Sequence, residues 1–316
     1  MRGIRDLLYA LSPEKRLLII GSAFVDVIIH VPRLPNSGED VEGSSRQQVV
    51  GGCAFNAADA VAKLGLPFET LIPVGEGMIA DRVRESFRMR GMTLREYPDL
   101  GDNGWCLSFV EPDGERTFVS MSGIEKCFRP EWLDPVEIEQ QELLYLSGYQ
   151  ADRRNEDFIA ALLARKSPAA PLLFDPGPAA DGIPGEMMNA ILASNTILKL
   201  NAGEALKLGG AETPALSAAR ISRVTLNPVI VTEGAAGALV VRGEAVTRVT
   251  GFPTRVADTI GSGDAHAGGT LAGLMSGFTL EEAVLLGNAV ASWVTGQEGA
   301  ATAPDLGALR ALHGAR

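Results

Sequence analysis

The amino-acid sequence predicts an α/β fold, with a mostly parallel sheet flanked by helices and a small β lid attached to it. Three observations lead there. Short apolar runs alternate with longer stretches of helical periodicity, the signature of βαβ units whose strands are buried on both faces. Two segments rich in β-formers and turn residues break that rhythm, and two Ala/Gly-rich helical stretches come near the end of the chain.

LLIIG (17–21) is an unbroken apolar run and reads as the first strand. GSAFVDVIIH leads from it into HVPRLPNSGEDVEGSSRQQVVGG (30–52), where polar and turn-forming residues lie between strand-like ends. AFNAADAVAKLG (54–65) is helical, TLIPVG (70–75) is a strand, and DRVRESFRMRG (81–91) is a helix whose arginines read as a solvated face. WCLSFVEPDGERTFVSM (105–121) sets Pro112-Asp113-Gly114 between two β-rich runs, which predicts a hairpin. Long irregular connections in compact domains are often functional, so segments 30–50 and 103–121 are expected to form the lid.

The alternation resumes with ELLYLSG (142–148), NEDFIAALLARK (155–166), PLLFDPG (171–177), EMMNAILAS (186–194), TILKLN (196–201) and PVIVTEG (228–234). Met187-Met188 falls on a core face. GDAHAGGTLAGLMSG (263–277) and LEEAVLLGNAVASWVTGQ (280–297) read as two closely packed buried helices. With no internal repeat or linker, residues 1–316 are expected to form one domain with an inserted lid.

Composition removes whole classes of function. At 46% hydrophobic and 21% charged, the 316 residues are neither disordered, collagen-like nor a coiled coil. The net charge of −11 argues against broad binding to nucleic acid or to an anionic membrane. Cys53, Cys106 and Cys127 contain no Cys-x-x-Cys pair and leave an odd number, so neither a disulfide framework nor a zinc site is expected. With no leader-like segment and no apolar run approaching membrane length, the expected compartment is the cytoplasm. His30, His266 and His313 are too few for a histidine-rich metal centre and read as structural or surface residues.

The 36 glycines matter where they cluster. Asp258-Thr259-Ile260-Gly261-Ser262-Gly263-Asp264 stands just before a helix. Such a turn either presents backbone amides to an anion, with Asp264 placed to accept a proton from a substrate hydroxyl, or is an ordinary helix cap. Gly51-Gly52-Cys53-Ala54-Phe55-Asn56 is a second cluster, where bare backbone lets a polar ligand approach and Asn56 can bond a hydroxyl pair. Asp26, inside an apolar run, is either an exposed strand-end residue or a buried partner for substrate hydroxyls. No P-loop is present, and the Gly75/Gly77 and Gly261/Gly263 pairs lack the third glycine of a dinucleotide fingerprint.

These residues carry a family resemblance. Gly51 to Ala58 followed by Leu64-Gly65 resembles the N-terminal signature of the ribokinase-like (PfkB-type) carbohydrate kinases, and Asp258 to Asp264 resembles their C-terminal signature. Asn201-Ala202-Gly203-Glu204 is similar to the family's Asn-x-x-Glu motif, and Thr232 to Gly237 to its nucleotide segment. The Asp113 to Thr117 hairpin is similar too, and the likeness spans roughly residues 17–305.

The resemblance implies a three-layer α/β/α domain with a β-sheet lid, and ATP-dependent phosphorylation of a sugar hydroxymethyl group. Asp264 would be the general base, and the amides of Gly261, Ser262 and Gly263 the anion hole. Asp26, Gly52 and Asn56 match sugar-binding positions; Asn201 and Glu204 match those that organise phosphate and Mg²⁺; Thr232, Gly234 and Asn288 match the nucleotide side. Asp258 and Ile260, with the loop Glu298-Gly299-Ala300, resemble the region where many relatives bind a monovalent cation such as K⁺. Lid hairpins often pair between subunits, so a homodimer is expected.

Departures from the pattern point to the substrate. Ser262 stands where Ala is usual, and Cys53 where ribokinase itself has Lys. Gly148 falls about where ribokinase has an acidic sugar contact, and its bareness reads as extra room for a bulkier acceptor. A nucleoside kinase, or a catalytically silent homologue, is the alternative on the same fold. Trp105 and Phe118 are either lid packing or ligand stacking, and His266 is either packing or a supporting donor.

Overall fold

A computed structural model describes residues 1–299 and 301–314. Helix α1 (Ile4–Ala10) precedes strand β1 (Leu17–Ile20). Strand β2 (Phe24–His30) leaves the main sheet, and β3 (Ser45–Gly51) runs back antiparallel to it into α2 (Cys53–Lys63). Strand β4 (Glu69–Leu71) follows, then β5 (Pro73–Val74), α3 (Met78–Met89) and β6 (Arg95–Glu96), the last pairing with β5. The expected hairpin is formed by β7 (Trp105–Val110) and β8 (Arg116–Met121), turning at Pro112-Asp113-Gly114.

The βα alternation then runs through β9 (Leu143–Ser147), α4 (Glu156–Arg165), β10 (Leu172–Asp175), α5 (Gly185–Leu192), β11 (Thr196–Asn201), α6 (Ala202–Gly209), α7 (Pro214–Thr225) and β12 (Val229–Thr232). Strands β13 (Ala238–Arg242) and β14 (Ala245–Val249) precede α8 (Ser262–Met275), α9 (Leu280–Thr295) and α10 (Leu306–Gly314).

Eight strands lie in the order β14-β13-β12-β11-β10-β9-β1-β4; the pairings from β12 to β4 are parallel, and β13 and β14 add an antiparallel edge. Period-two alternation explains the layers. Leu17, Ile19, Tyr145, Leu173, Ile197 and Ile230 face one core, closed by α2, α8 and α9. Leu18, Ile20, Leu144, Leu146, Phe174 and Leu198 face the other, closed by α4, α5 and α7, with Met187 and Met188 in it.

The glycines of α8 set how closely the helices approach. A Cβ at Gly268 would lie 2.5 Å from the Ala57 carbonyl of α2, and one at Gly269 would lie 2.8 Å from Gly287 Cα of α9. The two C-terminal helices therefore pack as closely as their composition implies.

A separate four-stranded sheet, β3-β2-β7-β8, has β2 and β7 parallel at its centre. Val25, Val27, Trp105 and Leu107 pack into the first core, so Trp105 is a packing residue; Phe118 is exposed.

The arginines of α3 correct one expectation. Arg84 bonds Glu96 at 2.5 Å and the Gly75 carbonyl at 2.9 Å, and Arg90 pairs at 2.5 Å with the buried Asp59 while stacking over Phe55. Both clamp the helix to its neighbours; Arg82 alone of these three lies on the open face. The three cysteines are free. Among the described residues no helix is long and apolar enough to cross a membrane.

Candidate active site

Parallel pairing brings the C-terminal ends of β9 to β12 to one edge of the sheet, with Ser147 beside Asp175 and Asn201 beside Thr232. The N-termini of α2 and α8 converge there, a placement that favours anions.

Gly261 adopts a left-handed φ of 74° and starts α8. The Ser262 amide donates back to the Thr259 carbonyl at 3.3 Å, and Ala265 N–H donates to the Gly261 carbonyl at 2.8 Å. Asp264 stands in the first turn and accepts from Asn56 Nδ2 at 2.8 Å. Burial lifts the Asp264 carboxyl above its ordinary value and Asp175 adds to that, while the bonds from Asn56 and Cys53 and the charge of Lys199 oppose it. The two glycine clusters of the sequence thus meet, Asn56 and Asp264 being 208 residues apart in the chain.

The Gly51-Gly52 turn is shaped around its neighbours. Gly52 has φ 115°, and a Cβ there would strike the Ser22 carbonyl at 2.5 Å. A Cβ at Gly51 would lie 2.8 Å from Asp26 Oδ2, so this half-buried carboxylate rests against bare backbone. Burial pushes Asp26 up to about 6 against the pull of Arg116. Of the two readings of Asp26, the structure supports the recessed one. Cys53 is partly buried beside Asp264; burial, reinforced by Asp264 and Asp175, drives its thiol well above its ordinary value and leaves it neutral.

Asn201 and Glu204 form a reciprocal capping box: Asn201 Oδ1 accepts from Glu204 N at 2.9 Å, and Glu204 Oε2 accepts from Asn201 N at 2.8 Å. Thr232 donates to the Leu200 carbonyl at 3.4 Å, and Gly234 turns with φ 59°. Asn288 lies buried in α9, where its amide bonds the Val249 and Thr250 carbonyls at 3.1 and 3.0 Å, so it shapes the chain around the site from behind. His266 is buried, and desolvation lowers its imidazole to about 3.

Asp258 is a hub. Its carboxylate accepts from Ile260 N at 3.0 Å and Gly299 N at 3.3 Å, and pairs with Arg116 of β8 at 3.5 Å. Burial alone would raise this carboxyl; the two amides and the guanidinium outweigh it and hold it low. Ala300, named with this loop, lies outside the described residues.

Two residues escaped the sequence reading. Lys199 and Asp175 form an ion pair at 2.6 Å with side chains only 5% and 11% exposed, and a Cβ at Gly263 would lie 3.7 Å from the Lys199 ammonium. Desolvation would depress that ammonium, but Asp175 more than offsets it and keeps it charged. The signal was a lysine inside the apolar strand TILKLN.

Gly148 corrects another expectation. A Cβ there would lie 2.3 Å from the Pro176 carbonyl oxygen and 2.5 Å from its Cα. The space left by a missing acidic side chain is filled by the protein's own backbone, not by room for a larger acceptor.

Comparison with known proteins places the fold and the family. "Uncharacterized sugar kinase YegV" of Escherichia coli is 39% identical over 324 residues, covering 99% of both chains. The structure of a ribokinase from Thermotoga maritima superposes with a TM-score of 0.83 at 23% identity, over 94% of this chain and 98% of that one. That of Arabidopsis thaliana ribokinase complexed with ribose and ATP gives 0.81 at 22% identity, over 96% and 99%. These two share the fold, which is the ribokinase-like three-layer arrangement expected from the sequence. Residues 14–306 match the pfkB family carbohydrate kinase profile. The chain therefore belongs to the pfkB family of carbohydrate kinases, ATP-dependent enzymes that phosphorylate sugars.

Proposed function

We propose that this protein transfers the γ-phosphoryl group of ATP to a sugar hydroxymethyl group, with Asp264 as general base and the small sheet closing over the acceptor as a lid on a single domain. The observation that carries this reading is the Asn56–Asp264 bond of 2.8 Å beside the Gly261–Gly263 turn. Asp26, Gly52 and Asn56 bind the acceptor hydroxyls. The Asp264 carboxylate takes the hydroxyl proton as that oxygen bonds to phosphorus and the bond to the ADP oxygen breaks. Backbone amides at Gly261 and Gly263 face the charge that develops, and that of Ser262 joins them on releasing the Thr259 carbonyl, to which it donates at 3.3 Å. This chemistry needs positioning and electrostatics, and no covalent nucleophile.

On the nucleotide side we place Asn201, Glu204, Thr232 and Gly234, with Asn288 supporting the chain behind them. Bound ATP would supply the phosphoryl group, and Mg²⁺ would neutralise its charge. Asp175, Glu204 and Asp264 all act electrostatically on the Lys199 ammonium, and burial, with Asp175, raises the Glu204 carboxyl; among the described residues no cluster of three metal-ligating side chains forms, so most ligands to Mg²⁺ would be water and phosphate oxygens. Glu204 would hold Mg²⁺ through water in this reading. A K⁺ site at Asp258 and Ile260 would use carbonyl oxygens, since the Asp258 carboxylate is already taken by two amides and Arg116.

A coupled ADP-release assay over pentoses, hexoses, deoxy-sugar acids and nucleosides tests the reading. Acceptor-dependent release that EDTA stops and Na⁺-for-K⁺ exchange slows is the expected result; ATP binding with silence across the panel would sink it. The nucleoside alternative loses its main support because Pro176 fills the space beside Gly148.

Asp26 gives a pH signature. Ionised, it accepts hydroxyl hydrogen bonds more strongly, so acceptor KM should fall between about pH 5 and about pH 7 and stay flat in Asp26→Asn. Because its folded-state value of about 6 lies above the ordinary 3.8, its contribution to stability is complete below 3.8 and lost as pH rises through about 6. Melting temperatures of the two proteins across that window check the sign.

Phe118, Val119 and Met121, each about half exposed on the edge strand β8, support a homodimer joined through the small sheets. A monomeric mass at working concentration would remove it. Three free cysteines are in keeping with a cytoplasmic location, which cell fractionation tests.

A further inference from the structure

We propose that Tyr149 is a wall of the acceptor site and selects sugars in ring form, whose apolar face lies against its aromatic ring. The inference rests on the kinase reading above and names the class of acceptor.

Topology supplies the first support. Tyr149 sits in the single turn Gly148–Gln150 that follows β9, at the sheet edge where Ser147 pairs with Asp175. A Cβ at Gly21 would lie 2.4 Å from Ala54 Cβ, 3.2 Å from Gln150 Oε1 and 3.3 Å from Ser147 Cβ. The turn therefore abuts the start of α2, one residue from Cys53.

The turn is also held rigidly. Gly148 is pressed on the Pro176 backbone, and the fully buried Gln150 donates to the Glu125 carbonyl at 3.5 Å. The Glu125 carboxylate in turn accepts from Gly104 N and Gly123 N, both at 2.8 Å, joining the roots of β7 and β8. Tyr149 is thus fixed between the root of the small sheet and the edge that carries the base.

Its own side chain stands out from this frame. Gly148 and Gln150 are buried, whereas Tyr149 is 38% exposed. The Lys126 ammonium lies 5.4 Å from the ring centroid and holds one face of the ring. Burial, with the charges of Asp264, Asp175 and Glu204, pushes the phenol up to about 12, so the ring is neutral at working pH.

A neutral aromatic ring in this position offers a carbohydrate an apolar packing face. The ring packs on the C–H face of a furanose or pyranose, while Asp26 and Asn56 take the hydroxyl rim. An acyclic polyol has no such face. Since Pro176 excludes an acidic side chain at position 148, grip on this side of the acceptor comes from the ring.

The test is isothermal titration calorimetry on the full chain with D-ribose, D-fructose, D-glucose and the alditols ribitol and sorbitol, and separately with a non-hydrolysable ATP analogue. The wild type should bind at least one ring sugar more tightly than the alditols. Tyr149→Ala should weaken that sugar about tenfold and leave the nucleotide within about twofold, and Tyr149→Phe should restore sugar binding. If the Ala variant does not fold, Tyr149→Leu, which keeps apolar bulk without a ring, should show the same selective loss. Unchanged sugar affinity in these variants, equal loss of sugar and nucleotide, alditols bound as tightly as ring sugars, or no sugar bound by the wild type would each overturn the inference. Selective sugar binding without ADP release would leave Tyr149 in place and count against the kinase reading instead.

Discussion

Asp264→Asn is expected to lower kcat by about a hundred- to ten-thousand-fold, the range lost with a general base, while acceptor and ATP binding stay close to wild type. The amide is nearly isosteric, and its Oδ1 can still accept from Asn56 Nδ2, which bonds Asp264 at 2.8 Å. What disappears is the proton acceptor. In the wild type, kcat should fall as pH drops through the Asp264 value, which burial sets above the ordinary carboxylate range. Steady-state kcat and KM, with calorimetric binding of both ligands, check the split. A variant that keeps turnover would remove Asp264 from its role.

Lys199→Met should be costly in two separable ways. It leaves Asp175 buried without its partner, and breaking a buried pair from one side destabilises by about 3–5 kcal/mol, read as a lowered chemical-denaturation midpoint. It also withdraws a positive charge that holds the Asp264 carboxyl down. The acid limb of the kcat profile should therefore move to higher pH. A double substitution, Lys199→Met with Asp175→Leu, should recover much of the stability because no unpaired charge remains, and should bring the acid limb back to or below its wild-type position, because the charge of Asp175, which raises the Asp264 carboxyl more than Lys199 lowers it, is gone as well. An acid limb that stays at its wild-type position in Lys199→Met, despite the lost stability, would show that the pair acts on folding alone.

Much of the fold was legible because buried parallel strands are unbroken apolar runs, and LLIIG and PVIVTEG have no competing helical reading. The elements passed over lack that mark. Strand β14 is exposed along most of its length, so Ala245–Val249 shows no apolar face. Helices α1 and α10 are short, and α7 has mixed polarity along Pro214–Thr225. The glycine turns were readable because their conformation is dictated locally.

The site was legible only where its chemistry is local. Asp264 and Gly261 announce themselves within seven residues, whereas Lys199 and Asp175 lie 24 residues apart and meet because β10 and β11 pair. Gly148 shows the opposite error. A missing side chain reads as space in one dimension, but the chain itself, at Pro176, fills that space in three. Arg84 and Arg90 fail for the same reason, since their partners Glu96 and Asp59 lie on other elements.

Asp264 is expected to face an acceptor hydroxyl across from the Gly261–Gly263 amides, and a crystal structure of the ternary complex of Asp264→Asn with sugar and a non-hydrolysable ATP analogue tests that placement. The acceptor hydroxymethyl oxygen should lie within about 2.6–3.2 Å of the residue-264 side chain, with the γ-phosphate against those amides and Asp26 and Asn56 on the remaining hydroxyls. A sugar held elsewhere, or a γ-phosphate turned away from the α8 N-terminus, would contradict it.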